Sequence, residues 1–276
     1  MIRFVRTTVC GALLAASLPA MAIFTNGGFE SGDFTGWTQG TGLNNLGGLT
    51  GAQPFTGASI NLGAGGTFTG AVVGSGYTEL ATAPITPIPF AGAHSARVGD
   101  TTPNYNTNLI SQQDAITAAD RDPGDNKLHV RFSYAVVLED PGHTAAQQPF
   151  FYLRVRNITK GTDLYEDFAF AGQTGTAFQP VPGNPGVLYL NWKPADVVVP
   201  DADLGDTIEV YLLAAGCAQS GHYGYAYLDG FGSRVIPPGG GGSAVTPVPT
   251  LGELSFMALG LLLAGAGAVS LRRRRG

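Results

Sequence analysis

The sequence of 276 residues predicts an all-β fold, a jelly-roll β-sandwich flanked by an N-terminal signal helix and a C-terminal transmembrane helix. Apolar and polar residues alternate along several segments, and clusters of Gly, Pro, Asn and Asp separate these segments. Both ends of the chain carry apolar segments beside arginines. Without residues 1–22 and about 244–276, roughly 221 residues remain, the usual size of one large sandwich.

The alternation is clearest in three segments of the second half. Residues 129–140 predict an inner strand, and residues 150–158 and 206–214 each predict a strand with one face in water. The inward positions are Val130, Phe132, Tyr134, Val136 and Leu138 in the first, Phe151, Leu153 and Val155 in the second, and Ile208, Val210 and Leu212 in the third. The Gly- and Pro-rich first half predicts long loops and edge strands.

The N-terminal end, residues 1–22, has the pattern of a secretory signal. Arg3 and Arg6 precede an apolar stretch, and Ala20-Met21-Ala22 forms a small-x-small cleavage site. The pattern predicts export. Its removal takes away Cys10 and leaves Cys217 as the only cysteine of the mature chain, which excludes an intramolecular disulfide.

The C-terminal end divides into a linker and an apolar segment. Residues 237–249 combine flexible glycines with stiff prolines, so we expect the folded body to span residues 23–236. Residues 250–276 contain an uncharged stretch, 254–271, that is just long enough to span a bilayer as a helix, and four arginines follow it. The positive-inside rule then leaves the body outside the cytoplasm.

The tail resembles the bacterial IPTL-CTERM sorting signal, a relative of PEP-CTERM, through Pro249-Thr250-Leu251 and Glu253. Val248 replaces the usual isoleucine, and Leu254 stands where a tryptophan is common. The resemblance implies an exosortase-like sorting enzyme as a partner. It also implies an inner-membrane tether during sorting, followed by a place at the cell surface or outside the cell.

Two stretches of the body resemble galactose-binding-like jelly rolls, the fold of many carbohydrate-binding modules. They are NGGFESGDFTGW, residues 26–37, and the segment from Trp192 through CAQSGHYGYAYLDGFG, residues 217–232. The resemblance implies a structural Ca²⁺ between Glu30 and Asp229, with carbonyl groups and Asp33 completing the shell. The alternative is that both acids are turn residues bound to backbone N–H groups.

Tyr223, Tyr225 and Tyr227 share one face of the last predicted strand. Aromatic rings in a row can stack on sugars, so these three are the candidate ligand-binding residues. The alternative is that tyrosines, which are favoured in strands, simply pack across the sheet.

Cys217 and His222 lie close in sequence, which raises the question of a metal site or a nucleophile. A zinc site needs three or four clustered ligands, and the other three histidines, His94, His129 and His143, are isolated in sequence. We therefore expect a buried thiol beside a structural histidine.

Net charge and the spacing of the carboxylates argue against nucleic-acid binding and against a glycosidase. The body carries nine basic and nineteen acidic residues, about −10, which disfavours nucleic acid as a partner. The pairs Glu139-Asp140 and Glu166-Asp167 point to opposite faces of their strands, so each offers at most one carboxylate to a cleft. The sequence thus predicts a non-catalytic, exported, surface-anchored protein in adhesion, extracellular matrix or polysaccharide binding. A secreted glycan hydrolase and a purely structural coat protein are the alternatives.

Overall fold

Eleven strands form two antiparallel sheets within residues 23–232, the part of the chain that the computed structural model describes. The strands are β1 (Thr38–Leu43), β2 (Ala71–Gly74), β3 (His94–Val98), β4 (Asn106–Ala115), β5 (Leu128–Glu139), β6 (Phe150–Asn157), β7 (Thr162–Phe170), β8 (Gln179–Val181), β9 (Asn184–Val199), β10 (Thr207–Ala215) and β11 (Gly224–Gly232). Four single 3₁₀ turns, at Gly57–Ser59, Ala118–Asp120, Ala145–Gln147 and Asp201–Asp203, lie in the connections.

The strand order is that of a jelly roll. One sheet has the order β1-β4-β10-β6-β7, and the other has the order β2-β3-β11-β5-β9-β8. Eight of the strands pair as nested hairpins, with β3 beside β11, β4 beside β10, β5 beside β9 and β6 beside β7. Strands β1, β2 and β8 extend the sheets at their edges. The predicted all-β sandwich is confirmed for this part of the chain.

The core between the sheets contains the inward residues that the alternation predicted. Val130, Phe132, Tyr134, Val136 and Leu138 of β5 belong to it, together with the predicted inward positions of β6 and β10. Strand β5 is buried on both faces, which confirms it as an inner strand. Near the two ends of the described residues, the rings of Phe24 and Phe231 contact each other edge to face.

The prediction of one wet face for β6 and β10 is wrong over part of each strand. Tyr152 is 5% exposed and Glu209 is 9% exposed, although both point away from the inter-sheet core. Leu49 and Phe55, from the long loop between β1 and β2, pack over this outer face. Alternation within a strand cannot reveal such a cover, because the covering residues lie far away in sequence.

Three predictions fall on residues that lie outside the described part of the chain. These are the signal of residues 1–22, the linker of residues 237–249 and the sorting segment of residues 250–276. Within residues 23–232, no helix has the length and apolar character that a membrane span requires.

Candidate functional site

A β-bulge in β9 forms a candidate site for a ligand. Asn191 and Trp192 of β9 both lie opposite the single residue Ala135 of β5, because the pairing register shifts between Tyr134 and Val136. An extra residue on one strand bends that strand and turns a side chain away from its regular direction. The bulge therefore allows Trp192 to lie on the outer side of the six-stranded sheet.

The bulge opens a groove beside β8. The groove has a volume of about 360 Å³, within the usual range for ligand sites. Strand β8 is only three residues long, so β9 beyond Tyr189 has no neighbour from β8 and carries Pro194, a residue that sheets accept at their edges. The groove is lined by Ala177, Gln179, Tyr189, Leu190, Asn191, Trp192, Lys193 and Pro194.

The two aromatic rings of the groove are held in place by hydrogen bonds. Trp192 Nε1 donates to the carbonyl oxygen of Pro87 at 2.6 Å, and the indole packs against Phe90 with ring centroids 5.1 Å apart. The Tyr189 hydroxyl donates to Gln179 Oε1 at 3.1 Å. Both rings are partly buried, so each keeps some surface in the groove while its orientation is fixed.

The polar side chains of the groove are neutral or paired. Gln179 and Asn191 are exposed amides, which can both donate and accept hydrogen bonds. Lys193 Nζ lies 2.8 Å from Asp167 Oδ2 and 5.6 Å from the centre of the Tyr134 ring. Tyr134 also donates to Asp167, and burial, with that hydrogen bond, raises the pKa of Tyr134 far above its ordinary value. This lining suits a neutral, hydroxyl-rich ligand with apolar ring faces.

The three candidate tyrosines of the sequence lie next to this groove, but they do not form an open surface. Tyr225 and Tyr227 are fully buried, and Tyr223 is partly buried. Residues 77–88, here called the covering segment, pack over them through Ala83 and Ile85. The proposal of a tyrosine platform is therefore corrected: the rings pack across the sheet beneath a cover.

One carboxylate holds the covering segment against the tyrosines. Glu79 Oε2 accepts the backbone N–H groups of Ala81 at 2.9 Å and Ala83 at 2.7 Å, while Glu79 Oε1 accepts the hydroxyl of Tyr227 at 3.2 Å and that of Tyr225. Burial, together with the nearby Glu79 charge, raises the pKa of both tyrosines far above the ordinary value. Both hydroxyls therefore stay protonated and donate.

Glu30 and Asp229, the candidate calcium ligands, converge on one short segment before β3. Asp229 Oδ2 accepts the Ala91 N–H at 2.9 Å and the Ser95 hydroxyl at 2.5 Å. Glu30 accepts the Ala93 N–H at 3.0 Å and 3.1 Å from its two oxygens. The structure thus brings the two acids to one place, where backbone N–H groups bind both of them.

Asp229 lies in a buried environment, and Glu30 lies against a tightly packed glycine. Asp229 is 1% exposed, and burial, with a contribution from the Glu30 charge, raises its pKa to about 7. Gly92 has φ +66°, and a Cβ at this residue would lie 2.0 Å from Glu30 Oε1, so only glycine lets the carboxylate reach the segment. Carboxylates are ligands that calcium prefers, and these two supply part of the six to eight oxygen atoms that it binds. Asp33 instead accepts hydrogen bonds from Ser31 and Thr35 in its own turn.

Glu166 and Asp167, one of the two acid pairs considered for a hydrolase, point to opposite faces of β7, as neighbours on a strand do. Glu166 faces outward and accepts the Tyr152 hydroxyl at 3.2 Å, whereas Asp167 points to Lys193 on the other side of β7. Cys217 and His222, by contrast, do lie side by side, and the sulfur is 3.4 Å from His222 Nδ1.

Comparisons with known proteins give structural likeness only. No family model matches the chain, and no curated protein matches it. Among solved structures, the chain is similar to the carbohydrate-binding module TmCBM61 in complex with β-1,4-galactotriose, at 13% identity and a TM-score of 0.38 over 77% of this chain and 97% of that one. It is similar to CBM27-1 of Caldicellulosiruptor saccharolyticus in complex with mannohexaose, at 12% identity and a TM-score of 0.38 over 76% and 96%.

A third similar structure is the K2 cleaved adhesin domain of Lys-gingipain, at 14% identity and a TM-score of 0.30 over 70% of this chain and 86% of that domain. Identities this low and TM-scores below 0.5 carry no information about a ligand. The chemistry of the candidate site therefore rests on the residues of this chain.

Sequence reasoning missed the groove itself. Alternation predicts that Asn191 and Trp192 point to opposite faces of a regular strand, and nothing in the local pattern marks the extra residue of a bulge. Pro194, two residues after Trp192, was the available signal, because proline within a strand indicates an edge or an irregularity.

Proposed function

We propose that the body is a non-catalytic polysaccharide-binding domain whose ligand lies in the groove of the β9 bulge. The observation that carries the proposal is the pairing of two fixed aromatic rings, Trp192 and Tyr189, with two exposed amides, Gln179 and Asn191. Aromatic faces stack on the apolar faces of sugar rings, and amides bind hydroxyl groups.

The electrostatics of the groove favour a neutral glycan over an acidic one. Lys193 is the basic side chain of the groove lining, and Asp167 already neutralises it at 2.8 Å. The body as a whole is acidic, which repels anionic chains at long range. The preorganised rings lower the entropy cost of binding, so a shallow groove can still hold a sugar.

We also propose a structural Ca²⁺ held by Glu30 and Asp229. The ion would neutralise a buried carboxylate and its neighbour, and it would tie the N-terminal segment to the last strand. It binds only the folded state, so a hundredfold excess over Kd should stabilise the body by about 2.7 kcal/mol. That gain corresponds to a rise in melting temperature of about 5–11 °C.

Calcium binding is tested by melting the protein in calcium and in chelator. The parent should melt higher in calcium, and Glu30→Gln should lose most of the difference because it removes the charge while keeping the shape. Asp33→Asn is the matched control, since Asp33 Oδ1 instead accepts hydrogen bonds from Ser31 and Thr35. Equal melting temperatures in both solutions would refute the site.

We further propose that the protein is exported and tethered by residues 250–276 to the inner membrane before it reaches the cell surface. Adhesion or a place in an extracellular matrix follows from a surface-anchored glycan binder. Cell fractionation tests this proposal. Full-length chain that stays in the cytoplasm of healthy cells would contradict it.

Binding is tested by screening the purified full-length protein against a panel of neutral and acidic polysaccharides. For the best ligand, Asn191→Ala, Gln179→Ala and Tyr189→Ala should each weaken binding by about tenfold, or about 1.4 kcal/mol. Asn184→Ala is the control on the same strand, because Asn184 is exposed and lies outside the groove.

Tyr211→Ala is the control for the other sheet. Tyr211 is partly exposed on the outer face of the five-stranded sheet, beside Arg154, whose guanidinium lies 5.6 Å from the ring centre. If Tyr211→Ala abolishes binding while the groove variants bind like the parent, the groove is not the site. If no polysaccharide binds, the proposed function is wrong.

A further inference from the structure

Three side chains that ligate soft and borderline metals meet at one end of the sandwich. His143 lies in the connection between β5 and β6, Cys217 follows β10 closely, and His222 precedes β11. Their ligand atoms all lie within 4.8 Å of one another. The sequence separates His143 widely from the other two, which is why spacing alone gave no sign of the cluster.

The distances within the cluster are close to those of a metal site. Zinc bonds of about 2.3 Å to sulfur and about 2.0–2.1 Å to nitrogen, at tetrahedral angles, place the two ligand atoms about 3.6 Å apart. Cys217 Sγ lies 3.4 Å from His222 Nδ1. The His143 and His222 rings meet edge to face with centroids 5.1 Å apart, and the ligand atoms of the cluster lie within 4.8 Å of one another, so a shift of about 1 Å would bring all three onto one ion.

Backbone hydrogen bonds hold the loops that carry these side chains. The Cys217 N–H donates to the carbonyl oxygen of His222 at 3.0 Å, which closes the connection between β10 and β11 into a tight loop. The Ala218 N–H donates to the carbonyl oxygen of Gln147 at 3.0 Å, which joins that loop to the one that carries His143. The ligands are therefore brought together by the backbone itself.

A second, independent observation points to a missing partner at this place. His143 Nε2 is buried and has no hydrogen-bond partner among the described residues. A buried imidazole nitrogen without a partner is costly and rare in folded proteins. A bound cation would satisfy it. His143 and His222 keep some exposed surface, which gives an ion a route to the fully buried sulfur.

We propose that His143, Cys217 and His222 bind one zinc-class divalent ion. The set combines one thiolate with two neutral imidazoles. Zinc prefers such sulfur and nitrogen ligands, whereas calcium prefers oxygen ligands. On binding, the Cys217 thiol loses its proton to solvent and a sulfur–metal bond forms. Water fills the fourth position. The ion would fasten the β5–β6 loop to the β10–β11 loop, and it is separate from Glu30 and Asp229.

Cobalt(II) titration of the metal-free, reduced full-length protein tests the proposal. One equivalent should produce tetrahedral visible bands and a near-ultraviolet thiolate charge-transfer band, and zinc should displace it. Cys217→Ser should lose the charge-transfer band. His222→Ala and His143→Ala should each weaken cobalt binding at least about 100-fold. Loss of a residue that only hydrogen-bonds to a metal ligand already lowers metal affinity by about 10–100-fold.

Two controls keep the test decisive. His94→Ala removes a histidine that lies outside the cluster and should bind cobalt like the parent. Each variant is first shown to melt in a single transition, and a variant that fails to fold is replaced by His→Gln at the same position. The absence of a thiolate band at millimolar cobalt would overturn the proposal. Parent-like affinity in the folded His143 variant would also overturn it.

Discussion

Replacing Glu79 by alanine should loosen the covering segment and expose the tyrosines beneath it. The change removes the acceptor of four hydrogen bonds, from two backbone N–H groups and from Tyr225 and Tyr227. The Tyr227 hydroxyl keeps a contact of 3.1 Å with Tyr77, and the Ala81 N–H keeps the Tyr225 oxygen at 3.2 Å. The Tyr225 hydroxyl donor and the Ala83 N–H therefore lose the partner that binds them.

The expected loss of stability follows from those two groups. A buried donor left without an acceptor costs about 1–3 kcal/mol, and the Tyr225 hydroxyl is fully buried. The Ala83 N–H loses a hydrogen bond to a charged group, worth about 1.5 kcal/mol at the low end. The sum of about 3 kcal/mol should lower the melting temperature by about 6–12 °C for a domain of this size.

Thermal melting of Glu79→Ala and Glu166→Ala side by side measures this effect. Glu166 also accepts a tyrosine hydroxyl, that of Tyr152 at 3.2 Å, but it is exposed, so its loss should cost less than about 1 kcal/mol. Tyr225 and Tyr227 should become open to nitration in the Glu79 variant only. A Glu79→Ala protein that melts within about 2 °C of the parent would refute the role given to this carboxylate.

Two further predictions concern the tyrosines and the calcium segment. Burial raises the pKa of Tyr152, Tyr211 and Tyr223 to about 12, above the 10.0 of the unfolded chain. The stability that these tyrosines contribute should therefore be full below pH 10 and should fall as the pH rises toward 12. Denaturant midpoints that are equal at pH 9 and pH 11 would contradict this prediction. Gly92→Ala should destabilise the protein well beyond the αL strain of about 1–2 kcal/mol, because the new Cβ would clash with Glu30. Gly142→Ala is the control: this glycine has φ +70° and open space around it, so the change should cost only the strain. Equal losses of stability in urea unfolding would show that Glu30 does not occupy this position.

The sequence was informative where side chains face a regular partner sheet. In β5, β6 and β10 the inward residues follow period two, and the structure places them in the inter-sheet core. The jelly-roll fold class was also predicted, but the order of the strands was not. The outer faces were not predictable in the same way. They are covered by loops whose residues, such as Glu79 and Phe55, lie in segments without periodicity.

The candidate sites also differ in whether the sequence reveals them. Glu30 and Asp229 were found from bracketing motifs, and they do reach one segment of the structure. The groove depends on a bulge at Asn191 and Trp192, which leaves no periodic mark. The cluster around Cys217 depends on a loop contact with His143. The groove thus needs an irregular strand pairing, and the cluster needs a contact between distant loops, so local spacing reveals neither.

The fluorescence of Trp192 tests polysaccharide binding in the groove most directly. The chain has two tryptophans, and Trp37 is 6% exposed in the core, so a ligand in the groove should change the emission of Trp192 alone. We predict a saturable change on titration with the best-binding oligosaccharide, protection of one tryptophan from acrylamide quenching, and loss of both effects in Trp192→Phe. A glycan that binds by calorimetry but leaves the emission and quenching of Trp192 unchanged would contradict the proposed site.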